Sequence, residues 1–379
     1  MTRVLIASAS YGFQNVGDDA ILAAMVEHLR TLPIEIEITA VTREPERMAE
    51  RLGIPAIEFL GLAPRLRTYL EVARNDVVIV GGGALIAEYT KGWRGLVTGH
   101  PGYPMTMVAT AKLLGKRAMV YGAGVERIES RAARFFVKHV FDRADVITLR
   151  DEDSKQRLTH ELGLSRAPIH ATADPVLGLS LPTESKMDSF VASRGLDDPS
   201  RPLVVINFAY GIDKRNDLLD FVARCAEHVI ARWGARVLFV PMNLYATTDR
   251  RGMELVLDRM EDTTHASILD LPYAHEEVLA IARRADLVIS SRMHLLILSA
   301  LVGTPIVGLS RVPKVDAYLA HYGLQAAGRT DQLDFDDFAE KLDRTWRERG
   351  VIRDRLRAEA PRLAELARSN ATHLETILR

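Results

Sequence analysis

The sequence predicts an α/β protein made of two doubly wound halves, each a parallel sheet flanked by helices, with a ligand cleft between them. Three observations predict it. Short β-branched apolar runs alternate with helix-period patterns through most of the 379 residues, the mark of strand–helix–strand units and parallel sheets. The alternation breaks once, from Leu179 to Pro202, where Pro182, Gly195, Pro199, several serines and a charge cluster collect as in an interdomain linker holding a short helix. The length suits two domains at roughly 150 residues each.

In the first half, Val4–Ala9, Ile34–Val41, Val77–Val80, Arg117–Tyr121 and Val146–Leu149 read as buried strands. The stretch Ala20–Leu32 between the first two places Ile21, Leu22, Met25 and Leu29 on one helical stripe. After the break, Leu203–Asn207, Arg236–Val240, Leu287–Ile289 and Pro305–Leu309 read as strands. Helices are expected near Leu218–Trp233, Gly252–Met260, Glu276–Ala285 and Met293–Val302. The predicted organisation is an N-terminal domain over 1–180, a linker over 181–202, a C-terminal domain over 203–333 and a helical tail over 334–379. The tail interleaves arginines with acids, the pattern of a solvated helix face packed on its other side. No repeat at solenoid periods and no low-complexity tract interrupts this plan.

Composition narrows the function. Hydrophobic residues at 47% and charged residues at 26% are the balance of a soluble protein with a full core. Lysine plus arginine (49) nearly cancels aspartate plus glutamate (50), so no global field favours nucleic acid or anionic lipid, and anion binding must come from local patches. The single cysteine, Cys225, excludes an intramolecular disulfide and a cysteine-based metal cluster, and its apolar helical setting reads as a buried structural thiol. Met1 to Ala9 runs directly into a strand pattern without a signal-like region. No apolar run approaches the ~20 residues that span a bilayer. The expected location is the cytoplasm, with at most peripheral contact at the inner membrane face.

In doubly wound sheets, ligands bind beyond the carboxyl ends of the strands, so the loops there hold the candidate residues. The first strand leads into Ser10-Tyr11-Gly12-Phe13-Gln14-Asn15-Val16-Gly17-Asp18-Asp19. This is either a capped strand-to-helix turn or a sugar-binding loop in which Asn15, Asp18 and Asp19 meet acceptor hydroxyls. It lacks the glycine spacing of a dinucleotide fingerprint, and no Walker sequence occurs anywhere. Gly81-Gly82-Gly83 and Gly122-Ala123-Gly124 bring bare backbone to two strand ends, for a phosphate or sugar, or for close packing. Arg150-Asp151-Glu152-Asp153-Ser154 follows another strand. Its Asp-x-Asp spacing resembles a divalent-metal holder, but acids in a first helical turn are ordinary dipole partners, and no metal is expected.

The densest cluster lies in the second half. Ser290-Ser291-Arg292-Met293-His294 ends one strand and opens a helix; Ser310-Arg311-Val312-Pro313-Lys314 does the same one unit later. A right-handed crossover sets such strands side by side, roughly 5 Å apart. Arg292, His294 and Lys314 then share one carboxyl edge, near helix N-termini whose amides attract anions. Two separated cations and a titratable imidazole suit phosphoenolpyruvate, which carries a carboxylate and a phosphate and needs an acid to protonate its methylene carbon.

With these residues in view, the sequence resembles the polysaccharide pyruvyl transferase family. The resemblance rests on Tyr11-Gly12-Phe13…Asn15…Gly17-Asp18, Gly81-Gly82-Gly83, Arg150-Asp151-Glu152, Ala173-Asp174-Pro175, Arg292-Met293-His294 and Pro313-Lys314, in order from residue 10 to about 325. It implies two Rossmann-like domains in the GT-B arrangement, phosphoenolpyruvate as donor, a pyruvate ketal on a sugar as product, and no further cofactor. It also implies that Arg150, His294 and Lys314 hold the donor, with His294 as acid; Arg292, Ser310, Gly82 and Gly83 are the further donor-binding candidates. Two stretches depart from the family pattern: Ala84-Leu85-Ile86-Ala87-Glu88-Tyr89, where relatives often carry a glutamine-aspartate pair, and Pro241-Met242-Asn243-Leu244-Tyr245. Both bear on the acceptor, a sugar or glycan on a free, polymeric or lipid-linked carrier. The alternatives are a GT-B glycosyltransferase using a nucleotide sugar and a non-catalytic sugar-binding relative.

Overall fold

Nine apolar runs expected as strands form the interior of two all-parallel sheets in the computed structural model. It describes residues 1–8, 10–12, 14–59, 61–88, 101–210, 215–244, 248–311 and 313–378. The expected strand end at Ala9, the motif residue Phe13, and Tyr89, Tyr245 and Val312 lie outside the described residues.

The first sheet contains β1 (Thr2–Ala7), β2 (Ile36–Thr42), β3 (Ala56–Glu58), β4 (Val77–Gly81), β5 (Arg117–Ala123), β6 (Val146–Leu149) and β7 (Ile169–Ala171). Their order is β3-β2-β1-β4-β5-β6-β7. Val77, Val78, Ile79 and Val80 on β4 are inaccessible to solvent, because a central parallel strand is covered on both faces by crossover helices. The order reverses between β1 and β4, so their following loops diverge at a switch point. Those loops hold residues 10–12 and 82–83.

The second sheet contains β8 (Leu203–Asn207), β9 (Arg236–Phe239), β10 (Ala266–Ile268), β11 (Leu287–Ser290), β12 (Ile306–Ser310) and β13 (Gly328–Arg329), in the order β10-β9-β8-β11-β12-β13. Its switch point lies between β8 and β11, and β11 pairs with β12 through Ser290 and Gly308. The crossover helix Met293–Leu301 between β11 and β12 is apolar nearly all round, with Leu295, Leu296, Ile297 and Leu298 buried.

The chain divides into two compact units: Met1–Phe13 with Asp18–Leu179 and Leu363–Arg379, and Gln14–Gly17 with Ser180–Arg362. The short segment Gln14–Gly17 thus groups with the second sheet although it lies between residues of the first. Within 181–202 the helix Glu184–Ser193 packs on the helix His275–Arg284. The tail forms the helices Phe335–Arg347 and Arg349–Leu378. Its last part belongs to the first unit, where the wholly buried Asn370 donates to the Ala173 carbonyl at 3.1 Å and accepts from the Thr172 hydroxyl at 2.8 Å. Cys225 is buried on the helix Asn216–Trp233, and burial pushes its thiol up to about 12. Among the described residues, no helix is long and apolar enough to cross a membrane.

Candidate active-site loops

In the second unit, Asp249 organises the carboxyl edge of the sheet. It sits in the first turn of the helix Thr248–Leu257 and is inaccessible to solvent. Arg292 meets it with two prongs, Nη2–Oδ1 at 2.6 Å and Nε–Oδ2 at 3.2 Å, while the amides of Met242 and Asn243 donate to the same carboxylate at 3.2 and 3.0 Å. A buried carboxylate met by a bidentate guanidinium and two amides is matched both in charge and in hydrogen bonding. Neighbouring polar groups complete the edge. The Asn207 amide group donates to the Val240 carbonyl at 2.7 Å, and the Ala209 amide donates to the Ser291 hydroxyl at 2.9 Å.

The loop held by Asp249 in turn holds the early motif. Val16 donates its amide to the Met242 carbonyl at 2.9 Å, Leu244 donates to the Gln14 carbonyl at 2.8 Å, and Asn15 bridges Asn243 in antiparallel fashion. Asn15 then accepts from the Gly17 amide at 3.1 Å through its side chain, a turn that starts the helix Val16–Arg30. This places Gly17 against His294. A Cβ built on Gly17 would stand 2.3 Å from His294 Nδ1 and 2.5 Å from its Cγ. Only a residue without a side chain leaves the imidazole in this position.

His294 is the second residue of the helix Met293–Leu301, and Lys314 is the second of the helix Pro313–Ala320. Because β11 and β12 are neighbours, both residues stand at one carboxyl edge. Ser310, the last residue of β12, is buried, and its hydroxyl donates to Asp316 in the helix that follows. Lys314 is half-buried. Arg292, His294 and Lys314 thus stand on the loops after two adjacent strands, and the Arg292 charge is already balanced by Asp249.

In the first unit, Arg150 follows β6 and is 6% exposed. Its guanidinium fills the place a side chain on Gly124 would take, since a Cβ there would stand 2.5 Å from Cζ. Nε lies 3.4 Å from Asp151 Oδ2 and Nη1 3.9 Å from Asp174 Oδ2. Asp151 also accepts from the Ser154 amide at 2.6 Å, capping the helix Glu152–Gln156, which accounts for one acid of the Asp-x-Asp spacing. Among the described residues, no group of three His, Cys, Asp or Glu side chains is placed to hold a metal ion.

The glycine turns are set by packing. The Gly82 amide donates to the Tyr121 carbonyl at 2.9 Å, and the Gly83 carbonyl accepts from Gly124 at 2.7 Å. Gly82 takes φ +77°, and a Cβ there would strike Ile21 at 2.3 Å. Gly83, at φ +62°, would bring a Cβ to 3.6 Å from Asp18 Oδ1, so Asp18 stands over this turn. Asp19 has a different place: it is buried, accepts from the Gly12 amide at 2.9 Å and pairs with Arg47 at 2.8 Å. Burial raises its carboxyl above the ordinary value, opposed by the Gly12 amide and Arg47. Glu88, in the stretch that departs from the family pattern, accepts from the amides of Glu129 and Ser130, both at 2.9 Å.

Sequence reasoning missed Asp249, Asn207 and Gly17 as organisers. Asp249 had no signal, since an acid in a first helical turn is commonplace. Gly17 had one: a glycine two residues beyond Asn15 at a helix start, where nothing about the helix itself requires it.

Two parallel, doubly wound units, each with a switch point in its strand order, define an α/β fold. Residues 15–311 match the model of a family described as polysaccharide pyruvyl transferase, and the chain belongs to that family of transferases. No functionally curated protein matches it. Among solved structures, it is similar to the UDP-GlcNAc 2-epimerase of Methanocaldococcus jannaschii, at 14% identity over 90% of this chain and 92% of that one, with a TM-score of 0.64. The Neisseria meningitidis UDP-GlcNAc 2-epimerase, solved bound to UDP-GlcNAc, shares 11% identity over 100% of both chains at the same TM-score of 0.64. HepE from Anabaena, solved with UDP and glucose, shares 12% identity over 100% of this chain and 99% of that one, again at 0.64. At these identities the likeness is one of fold.

Proposed function

We propose that this protein transfers the pyruvyl group of phosphoenolpyruvate to a sugar, forming a pyruvate ketal and releasing phosphate. The observation that carries the reading is the pairing of β11 with β12, which puts His294 and Lys314 at one strand edge in a chain of this family. His294 protonates the methylene carbon of the donor, leaving an oxocarbenium-like centre at C2. A sugar hydroxyl attacks C2, the C2–O bond to phosphate breaks, and a second hydroxyl closes the ketal. Of the two hydroxyl protons released, one restores His294 and the other leaves with phosphate. Lys314 neutralises the donor's anionic groups, a point-charge role suited to lysine. The acceptor is a sugar or glycan, and Asp18, which stands over the Gly83 turn, is the carboxylate proposed to meet its hydroxyls. Arg150 keeps its proposed part in donor binding, alongside its contacts with Asp151 and Asp174.

A nucleotide-sugar enzyme is the competing reading, because fold neighbours include proteins solved with UDP-GlcNAc or UDP. The two are separated by following phosphate release from phosphoenolpyruvate, and UDP release from UDP-sugars, over a panel of glycans. Acceptor-dependent phosphate release that disappears in His294→Gln and Lys314→Ala is expected. UDP release without phosphate release would refute it.

A further inference from the structure

We infer that one face of the first unit docks on an anionic lipid bilayer. The helices Leu62–Arg74, Gly102–Leu113 and Arg131–Phe141 pack side by side in the first unit, and large apolar side chains stand exposed on each of them. Leu66 and Leu70 are 58% and 59% exposed one turn apart, Leu113 is 87% exposed, and Phe135 and Phe136 are 56% and 46% exposed.

The helix Arg131–Phe141 shows the anomaly most clearly. Ala133, Val137 and Phe141 face the core and account for its attachment. Ala132, Phe135, Phe136 and His139 recur at i, i+3, i+4 and i+7 on the exposed side, a second stripe that the core does not use. The Phe135 ring lies 5.5 Å from Phe136 and 4.0 Å from His139, so the stripe is a joined aromatic surface.

Charge identifies the partner. The whole chain is nearly neutral at −1, yet this face is basic. The helix Arg131–Phe141 carries Arg131, Arg134 and Lys138 with no acid. The helix Leu62–Arg74 carries three arginines, of which Arg74 pairs with Glu71, and Lys116 follows Leu113, while Lys112 is paired with Asp145. Arg67 and Arg131 are exposed and Lys138 is half-buried. Exposed aromatic and leucine side chains interleaved with bases match a surface of apolar chains under anionic headgroups. Nucleic acid offers the charge but no apolar layer to receive Leu66, Leu70 and Leu113.

Flotation of the full chain with vesicles tests it, comparing phosphatidylcholine alone with phosphatidylcholine plus phosphatidylglycerol. The chain is expected to float with the anionic vesicles only, and less at high salt. Arg67→Glu with Arg131→Glu should weaken partition by about tenfold or more, and Phe135→Ser with Phe136→Ser should weaken it while leaving the circular dichroism and melting temperature unchanged. Absence of flotation, equal flotation with both vesicles, or variants that float like the wild type would overturn it. So would concentration-dependent self-association that the phenylalanine variant abolishes, since the stripe would then bind a second copy.

Discussion

Arg292 is clamped by a wholly buried Asp249, Nη2 to Oδ1 at 2.6 Å and Nε to Oδ2 at 3.2 Å. The same carboxylate takes the amides of Met242 and Asn243, whose loop pairs with residues 14–16 and so sets Gly17 against His294. One acid thereby ties together three segments far apart in sequence. Arg292 acts here by placing the start of the helix that carries His294.

Asp249→Ala leaves the Arg292 charge without its buried partner and frees two amides. The expected loss is about 3–5 kcal/mol, seen as a lower unfolding midpoint in denaturant. A loss below about 1 kcal/mol would show that water replaces the carboxylate without cost.

Gly17→Ala separates packing from chemistry. Its methyl would stand 2.3 Å from His294 Nδ1, so the imidazole must move. Overpacking should cost about 1–3 kcal/mol, while kcat should fall tenfold or more, since small displacements of a reacting group are expensive. Unchanged kcat would remove His294 from the chemistry.

Arg150→Ala breaks the contacts with Asp151 and Asp174 and opens the space over Gly124. A stability loss of about 3 kcal/mol or more is expected. Arg150→Lys keeps the charge but not the planar packing and should fall between. A stable Arg150→Ala protein that fails to bind phosphoenolpyruvate would assign the arginine to the ligand alone.

The nine apolar strands were legible because each is a short run of mostly buried apolar residues. The four that were not, β3, β7, β10 and β13, are the two edges of each sheet. They span two or three residues, such as Ile169–Ala171 and Gly328–Arg329, too short for a period to show. The position of His294 and Lys314 at one strand edge was readable, because adjacent parallel strands deliver their loops to one edge. Asp19 was not: the Arg47 and Gly12 contacts that bury it come from tertiary packing, and its neighbour Asp18 has the same local pattern.

Stability should depend on pH through three histidines. Burial lowers the pKa of His28, of His170 and of His373, the last two with rings stacked at 3.9 Å. With folded values below the ordinary 6.5, the unfolded chain binds more protons just under neutrality. Stability is therefore full above about pH 6.5 and falls as acid charges these rings. Melting temperatures at about pH 7.5 and 5.5 should differ less in His170→Gln with His373→Gln than in the wild type.

The most direct measurement is thermal stabilisation by phosphoenolpyruvate and, separately, by UDP, in the wild type and Lys314→Ala. A ligand at ~100 times its dissociation constant adds about 2.7 kcal/mol, a shift of several degrees for units of this size. A shift with phosphoenolpyruvate, lost in Lys314→Ala, and none with UDP is the expected result. A shift with UDP and none with phosphoenolpyruvate would contradict it.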